Sequence, residues 1–249
     1  RIEEGIREVM SAIAHFPGTV DSILAEYTRV TTEGGRLAEV LSGYIDPDDG
    51  SVPEEAAAPV PAEGGSDAKS DDEDEDEESE SSDDEESEGD GGPDPEEAAR
   101  RFTAVSDQQD KVLKALKKHG RGSKQATEEL ANLAELFMPI KLVPKQYDAL
   151  VTHVRGALDR LRAQERAIMQ LCVRDARMPR ADFLRLFPGN EVDMGWAADL
   201  AKGKAKYAEA LGNLQADIQR CQQKLVDLET ESNLSLAEIK DINRRMSIG

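Results

Sequence analysis

Apolar positions Ile2, Ile6, Val9, Ile13 and Phe16 step by four and three, which lines one face of an amphipathic helix. Pro17-Gly18 ends it, and Val20, Ile23, Leu24, Tyr27 and Val30 mark a second. After Gly34-Gly35, the residues Leu37, Val40, Leu41 and Tyr44 give a short third helical stripe.

The pattern then stops, and it resumes at Pro95, a first-turn residue behind Asp94. Phe102, Val105, Val112, Leu113 and Leu116 lead to a stop at Gly120, and a helix from Ser123 to Met138 carries Leu130, Leu133, Leu136 and Phe137. The longest element runs from Pro144 to Arg177 through Tyr147, Leu150, Val151, Val154, Leu158, Leu161, Ile168, Leu171 and Cys172. Tyr207, Leu211, Leu214, Ile218, Cys221, Leu225 and Leu228 keep a coiled-coil-like spacing, which suits an antiparallel partner of the Pro144 helix. Ser235-Leu236-Ala237-Glu238 is a capping box that opens a last helix through Ile239 and Ile242. No alternating β-branched run competes with these elements. The expected fold class is all-α, a helical bundle with long antiparallel helices interrupted by an acidic insert.

Charge sharpens that division. The formal net charge is −21, yet Asp67 to Asp90 holds sixteen acids against Lys69, so most of the excess sits in one stretch. Together with Pro47, Pro53, Pro59 and Pro61, this composition cannot bury enough apolar surface to offset ordering entropy. The expected organisation is therefore 1–46 helical, 47–94 a disordered acidic linker and 95–249 helical. Closing so long a loop costs only about 3.4 kcal/mol, so the flanking helices remain able to pack together. The tract itself has two readings, a solvating spacer or a mimic of nucleic acid on a basic partner surface.

Chemistry of the catalytic kind has no obvious carriers. His15, His119 and His153 fall on different predicted helices, and Cys172 and Cys221 are far apart at apolar helical positions. Phosphate loops, dinucleotide fingerprints and nucleophile elbows are missing, so neither an enzyme, a metal site nor a cofactor is expected. Trp196, beside Met194 and near Phe183, Leu186 and Phe187, reads as core. No signal peptide or membrane span is expected, which points to the cytoplasm. The chain starts without Met and without a helix cap, and it stops in mid-pattern at Ile248-Gly249, which reads as a segment of a longer protein.

Basic residues leave more open. Lys141 to Arg185 holds ten Lys and Arg against five acids. Arg155, Arg160, Arg162 and Arg166 lie on the polar side of the long helix, where they can pair within it, for example with Asp159 and Glu165, meet a protein, or meet phosphate. Arg29 and Arg36, seven residues apart, share a face if their helix continues, and they are the candidate DNA-contacting residues.

Several strings carry a resemblance. Leu142-Val143-Pro144-Lys145-Gln146-Tyr147-Asp148, the run from Arg162 to Val173, and Leu186-Phe187-Pro188-Gly189-Asn190-Glu191 closely resemble the non-essential region of primary sigma factors in the sigma-70 family. Arg1 to Ile6 looks like the close of that family's region 1.2, and Phe16-Pro17 with Leu41 to Pro47 fits the start of the insert. Ile239 to Gly249 looks like the start of region 2.1. The resemblance implies a role in promoter-specific transcription initiation, with core RNA polymerase (its β′ subunit) and promoter DNA as partners and no small-molecule substrate. It implies a helical platform tuning complex stability and promoter escape, while the base-reading parts would follow Gly249. An acidic helical chaperone or scaffold is the alternative, but it does not account for those strings.

Overall fold

The structure, a computed structural model, describes residues 2–45 and 92–247. The acidic linker expected over 47–94 falls almost wholly outside them. The segments on either side of residues 46–91 belong to one unit.

Nine α-helices and one two-stranded sheet make up the described residues. Helix α1 (Ile2–Ala14) and helix α2 (Thr19–Glu33) meet at Pro17-Gly18, where the Thr19 hydroxyl donates to the carbonyls of Ile13 and Phe16, both at 2.7 Å. Helix α2 ends at Gly34, whose φ of 72° is a left-handed cap that a side chain would strain. Arg36 therefore lies beyond the helix, and the shared face drawn from its spacing to Arg29 does not form.

The third apolar stripe is not a helix. Leu37–Glu39 form a single 3-10 turn, and Leu41–Tyr44 form strand β1, antiparallel to β2 (Ile140–Leu142). Val143 N–H donates to the Val40 carbonyl at 3.1 Å, and Ile45 N–H donates to that of Pro139 at 2.7 Å. A bulge between Leu41 and Gly43, with Gly43 at φ 155°, lets both ends of the short ladder keep register. Four residues are too few to show alternation, and the partner strand lies about a hundred residues away, so local pattern could not reveal this pairing.

Helix α3 (Pro95–His119) starts as the sequence suggested: the Asp94 carboxylate accepts from the Glu96 N–H at 3.0 Å, and Gly120 caps the end. It packs on α2, with the Phe102 and Tyr27 rings stacked at 4.0 Å, and on α4 (Lys124–Phe137), which Ser123 caps. Leu113 and Leu136, expected on the buried stripes, are instead exposed.

Helix α5 (Pro144–Met169) continues through a π-helical stretch, Gln170–Asp175, before Arg177 turns out at φ 57°. Helices α6 (Arg180–Leu186) and α7 (Trp196–Ala201) follow, then α8 (Ala208–Ser232) and α9 (Leu236–Met246). Arg160, in the middle of α5, meets Glu231 at the end of α8, while the π-helical continuation of α5 still touches α8. Only an antiparallel arrangement allows both, as the heptad spacing suggested. Trp196 is buried against Phe187 and Phe183, and its indole N–H donates to the Leu186 carbonyl at 3.0 Å. None of the described helices is long and apolar enough to cross a membrane.

The last helix is closely enclosed. Leu236, Ile239, Ile242, Asn243 and Met246 of α9 are all buried, and α9 contacts both α1 and α5. Ile239 is fully shielded, so Ile239→Ala should cost about 2–5 kcal/mol through lost transfer energy and residual cavity. Urea unfolding should show this as a lower midpoint at unchanged slope, and a midpoint like that of the parent chain would contradict the enclosed position.

Candidate interaction surface

Two charged features emerge around α9. The first joins α9 to α1 through the turn between α3 and α4. Arg121 sits between Gly120 and Gly122, donates from Nε to Glu238 at 2.9 Å, and donates from its other end to the His15 carbonyl. Glu238 also closes the capping box, accepting from the Ser235 amide at 2.8 Å. Arg245 reaches Ser11 Oγ of α1 at 3.2 Å. Three segments distant in sequence are thus tied by directional bonds around a cleft of about 360 Å³.

Protonation in this cluster is skewed. Burial pushes His15 below its ordinary value of 6.5; its bond to the Ser11 carbonyl opposes this, and Arg245 and Arg121 add to the depression while Asp241 opposes it. Burial works against ionising Glu238, yet the Ser235 amide and hydroxyl, then Arg121, hold its pKa low. The bond from Arg244 does the same for Asp241.

The second feature is the exposed side of α5 facing α9. Arg155, Leu158, Asp159 and Arg162 of α5 with Lys240, Asn243, Arg244 and Ser247 line a groove of about 670 Å³. The ion pairs expected within α5 are replaced by pairs between helices. Glu165 takes Lys240 of α9 at 2.6 Å, and Arg160 takes Glu231 of α8 at 2.8 Å. Among the described residues, Arg155, Arg162 and Arg166 form no ion pair, and all three are exposed. Asn243, buried under the groove, donates from its side-chain amide to the Ile239 carbonyl at 2.9 Å and leaves its amide Oδ1 unpartnered. Unpaired guanidiniums over a shallow groove suit phosphate or carboxylate oxygens.

The candidate pair Arg29 and Arg36 lies elsewhere. Arg29 is held on α2 by Glu26 at 2.9 Å and Glu33 at 3.6 Å, whereas the Arg36 amide donates to Glu39 at 3.4 Å in the following 3-10 turn. Arg121 and Lys240 escaped the sequence reading, because a lone Arg between two glycines and a single Lys on a short helix have no periodic signature.

The His153 ring meets Phe16 edge-on at 5.4 Å. Cys172 is buried, and burial pushes its thiol up to about 12, so it is a poor nucleophile. Among the described residues, no group of three or more His, Cys, Asp or Glu is placed to hold a metal.

Comparison with known proteins bears on this surface. The family model described as "Sigma-70, non-essential region" matches residues 16–229. The RNA polymerase sigma factor RpoD of Neisseria gonorrhoeae is 28% identical over 253 residues, which cover 99% of this chain but only 39% of that protein.

The α1–α9 cluster should give stability a mildly acidic dependence. The unfolded chain takes up the His15 proton near 6.5 and the folded chain only at lower pH, so stability is full above that value and falls as pH drops toward the folded pKa. Glu238 and Asp241, whose pKa values are lowered, lose their contribution only at more acidic pH. Replacing His15 with Asn should flatten the upper part of a urea-midpoint profile against pH and leave the lower part. An unaltered profile would assign the effect to another group.

Proposed function

The chain belongs to the sigma-70 family, through its non-essential region, and from that membership we propose that it serves as a helical platform within a transcription initiation factor, acting in the cytoplasm on core RNA polymerase and promoter DNA. The observation that carries this reading is the enclosure of α9 between α1 and α5. In this reading α9 opens region 2.1 and α1 closes region 1.2. Holding these two helices together fixes the angle at which a following polymerase-binding segment would leave this unit. A rigid mount of this kind supports orientation of other parts; it needs no catalytic group of its own.

In this reading the unpaired arginines of α5 and Arg36 face partners, with the β′ subunit and the DNA upstream of the −10 element as the surfaces they approach. Phosphate contacts made this way position the protein without reading sequence. Tuning of promoter escape follows from the same contacts, since each one retained must be broken when polymerase leaves.

The test uses the full-length protein, with its continuation past Gly249, and core polymerase on a fluorescent promoter fragment. Anisotropy should report a salt-resistant complex that requires both polymerase and the continuation. Binding independent of polymerase would remove the initiation reading and favour an acidic scaffold. Within that complex, Arg36→Ala should weaken binding and lower the salt slope by about one, while Arg29→Ala, already engaged by Glu26 and Glu33, should change it less. An unchanged slope for Arg36→Ala would exclude a phosphate contact there.

A further inference from the structure

Beside the arginine-bearing face of α5 lies a slot of about 350 Å³ bounded by α6. Its apolar wall is built from Met169, Phe183, Leu184, Phe187 and Pro188. Leu184 is 56% exposed, more than any other large apolar side chain among the described residues. The wall is backed from inside: Phe183 and Phe187 stack at 4.8 Å, Trp196 packs against both, and Gln222 of α8 donates to the carbonyls of Asn190 and Asp193.

The rim is not neutral in its demands. Glu165 and Glu191 both approach Lys240, at 2.6 and 3.8 Å, which offsets one of their two charges. Arg162 and Arg166 on the other side stand one helical turn apart, exposed and without an ion pair among the described residues. An exposed apolar shelf under two unsatisfied guanidiniums presents half of an interface: one feature calls for an apolar anchor, the other for two carboxylates.

We propose that this slot between α5 and α6 docks an acidic segment of a partner protein that carries a leucine or aromatic anchor, the anchor lying on the exposed Leu184 and Pro188 and its flanking carboxylates pairing with Arg162 and Arg166. The acidic stretch of this same chain does not meet the requirement. Asp67 to Asp90 supplies carboxylates in plenty but has no Leu, Ile, Val, Met or aromatic residue. Nucleic acid would satisfy the arginines and leave the apolar shelf wet. An apolar anchor on one face and acids on the flanks describe an amphipathic segment laid into a groove. This goes beyond the promoter role: it shares Arg162 and Arg166 with that reading but adds the apolar shelf beside them, which that reading does not use.

The experiment measures anisotropy of a labelled peptide with the full-length protein and no polymerase, so its failure leaves the promoter result untouched. The probe carries Leu and Phe four residues apart with Glu on either side. Saturable binding is expected, weakened about tenfold or more when Ser replaces Leu and Phe, and likewise in Leu184→Asp, whose parent side chain is exposed enough for the fold to survive. Arg166→Glu should also weaken it, and a probe with Lys in place of Glu should regain affinity for Arg166→Glu, a rescue that a merely structural role would not give. Absence of saturable binding overturns the proposal. So does equal binding of the Ser probe, which would mean charge alone, or unchanged binding to Leu184→Asp. A promoter duplex that binds the slot variants as weakly as the peptide does, while binding the parent protein more tightly, would replace the peptide with DNA.

Discussion

Enclosure of α9 is the constraint on which the arrangement depends. An eleven-residue helix is too short to be stable in water by its own hydrogen bonds. It persists here because five of its side chains are buried against two helices at once. Those two helices, α1 and α5, lie on either side of residues 46–91 in sequence. Burying α9 therefore requires the first forty-five residues and the last part of the chain to form one core.

Electrostatics follow from that arrangement. The bonds of Arg121 to Glu238 and to the His15 carbonyl fix a junction whose apolar contacts alone would permit sliding. Lys240 draws Glu165 out of the intrahelical pairing it would otherwise make, and Glu231 does the same to Arg160. Exposed pairs of this sort add little stability each. Their consequence is distributive: they engage Glu165, Glu191 and Glu231 through Lys240 and Arg160, while Arg155, Arg162 and Arg166 form no ion pair among the described residues.

The same economy shapes α6 and its slot. Trp196, Phe183 and Phe187 form a small aromatic cluster that seats a seven-residue helix which could not otherwise hold its place. With Phe183 and the capping residue Phe187 both buried, α6 leaves Leu184 facing solvent next to the free arginines. Apolar shelf and cationic rim thus come from different elements and meet only because the cluster anchors one against the other.

Periodicity by itself determined the long helices, though not the short α6 and α7, because side-chain spacing along a helix is a local property: the Asp94 and Ser235 caps, the stop at Gly120 and the α8 seam were all legible from neighbours within a turn or two. The family was legible too, in short strings such as Leu186 to Glu191. Tertiary structure alone decided what depends on distant partners. It turned Leu41–Tyr44 into a strand, since Ile140–Leu142 supplies the hydrogen bonds that a short segment cannot make alone. It separated Arg29 from Arg36 by ending α2 at a left-handed glycine, and it selected which arginines stay unpaired by bringing acids and bases together across helices. Local order is written in spacing, whereas pairing across the chain is settled only when folding fixes which surfaces meet.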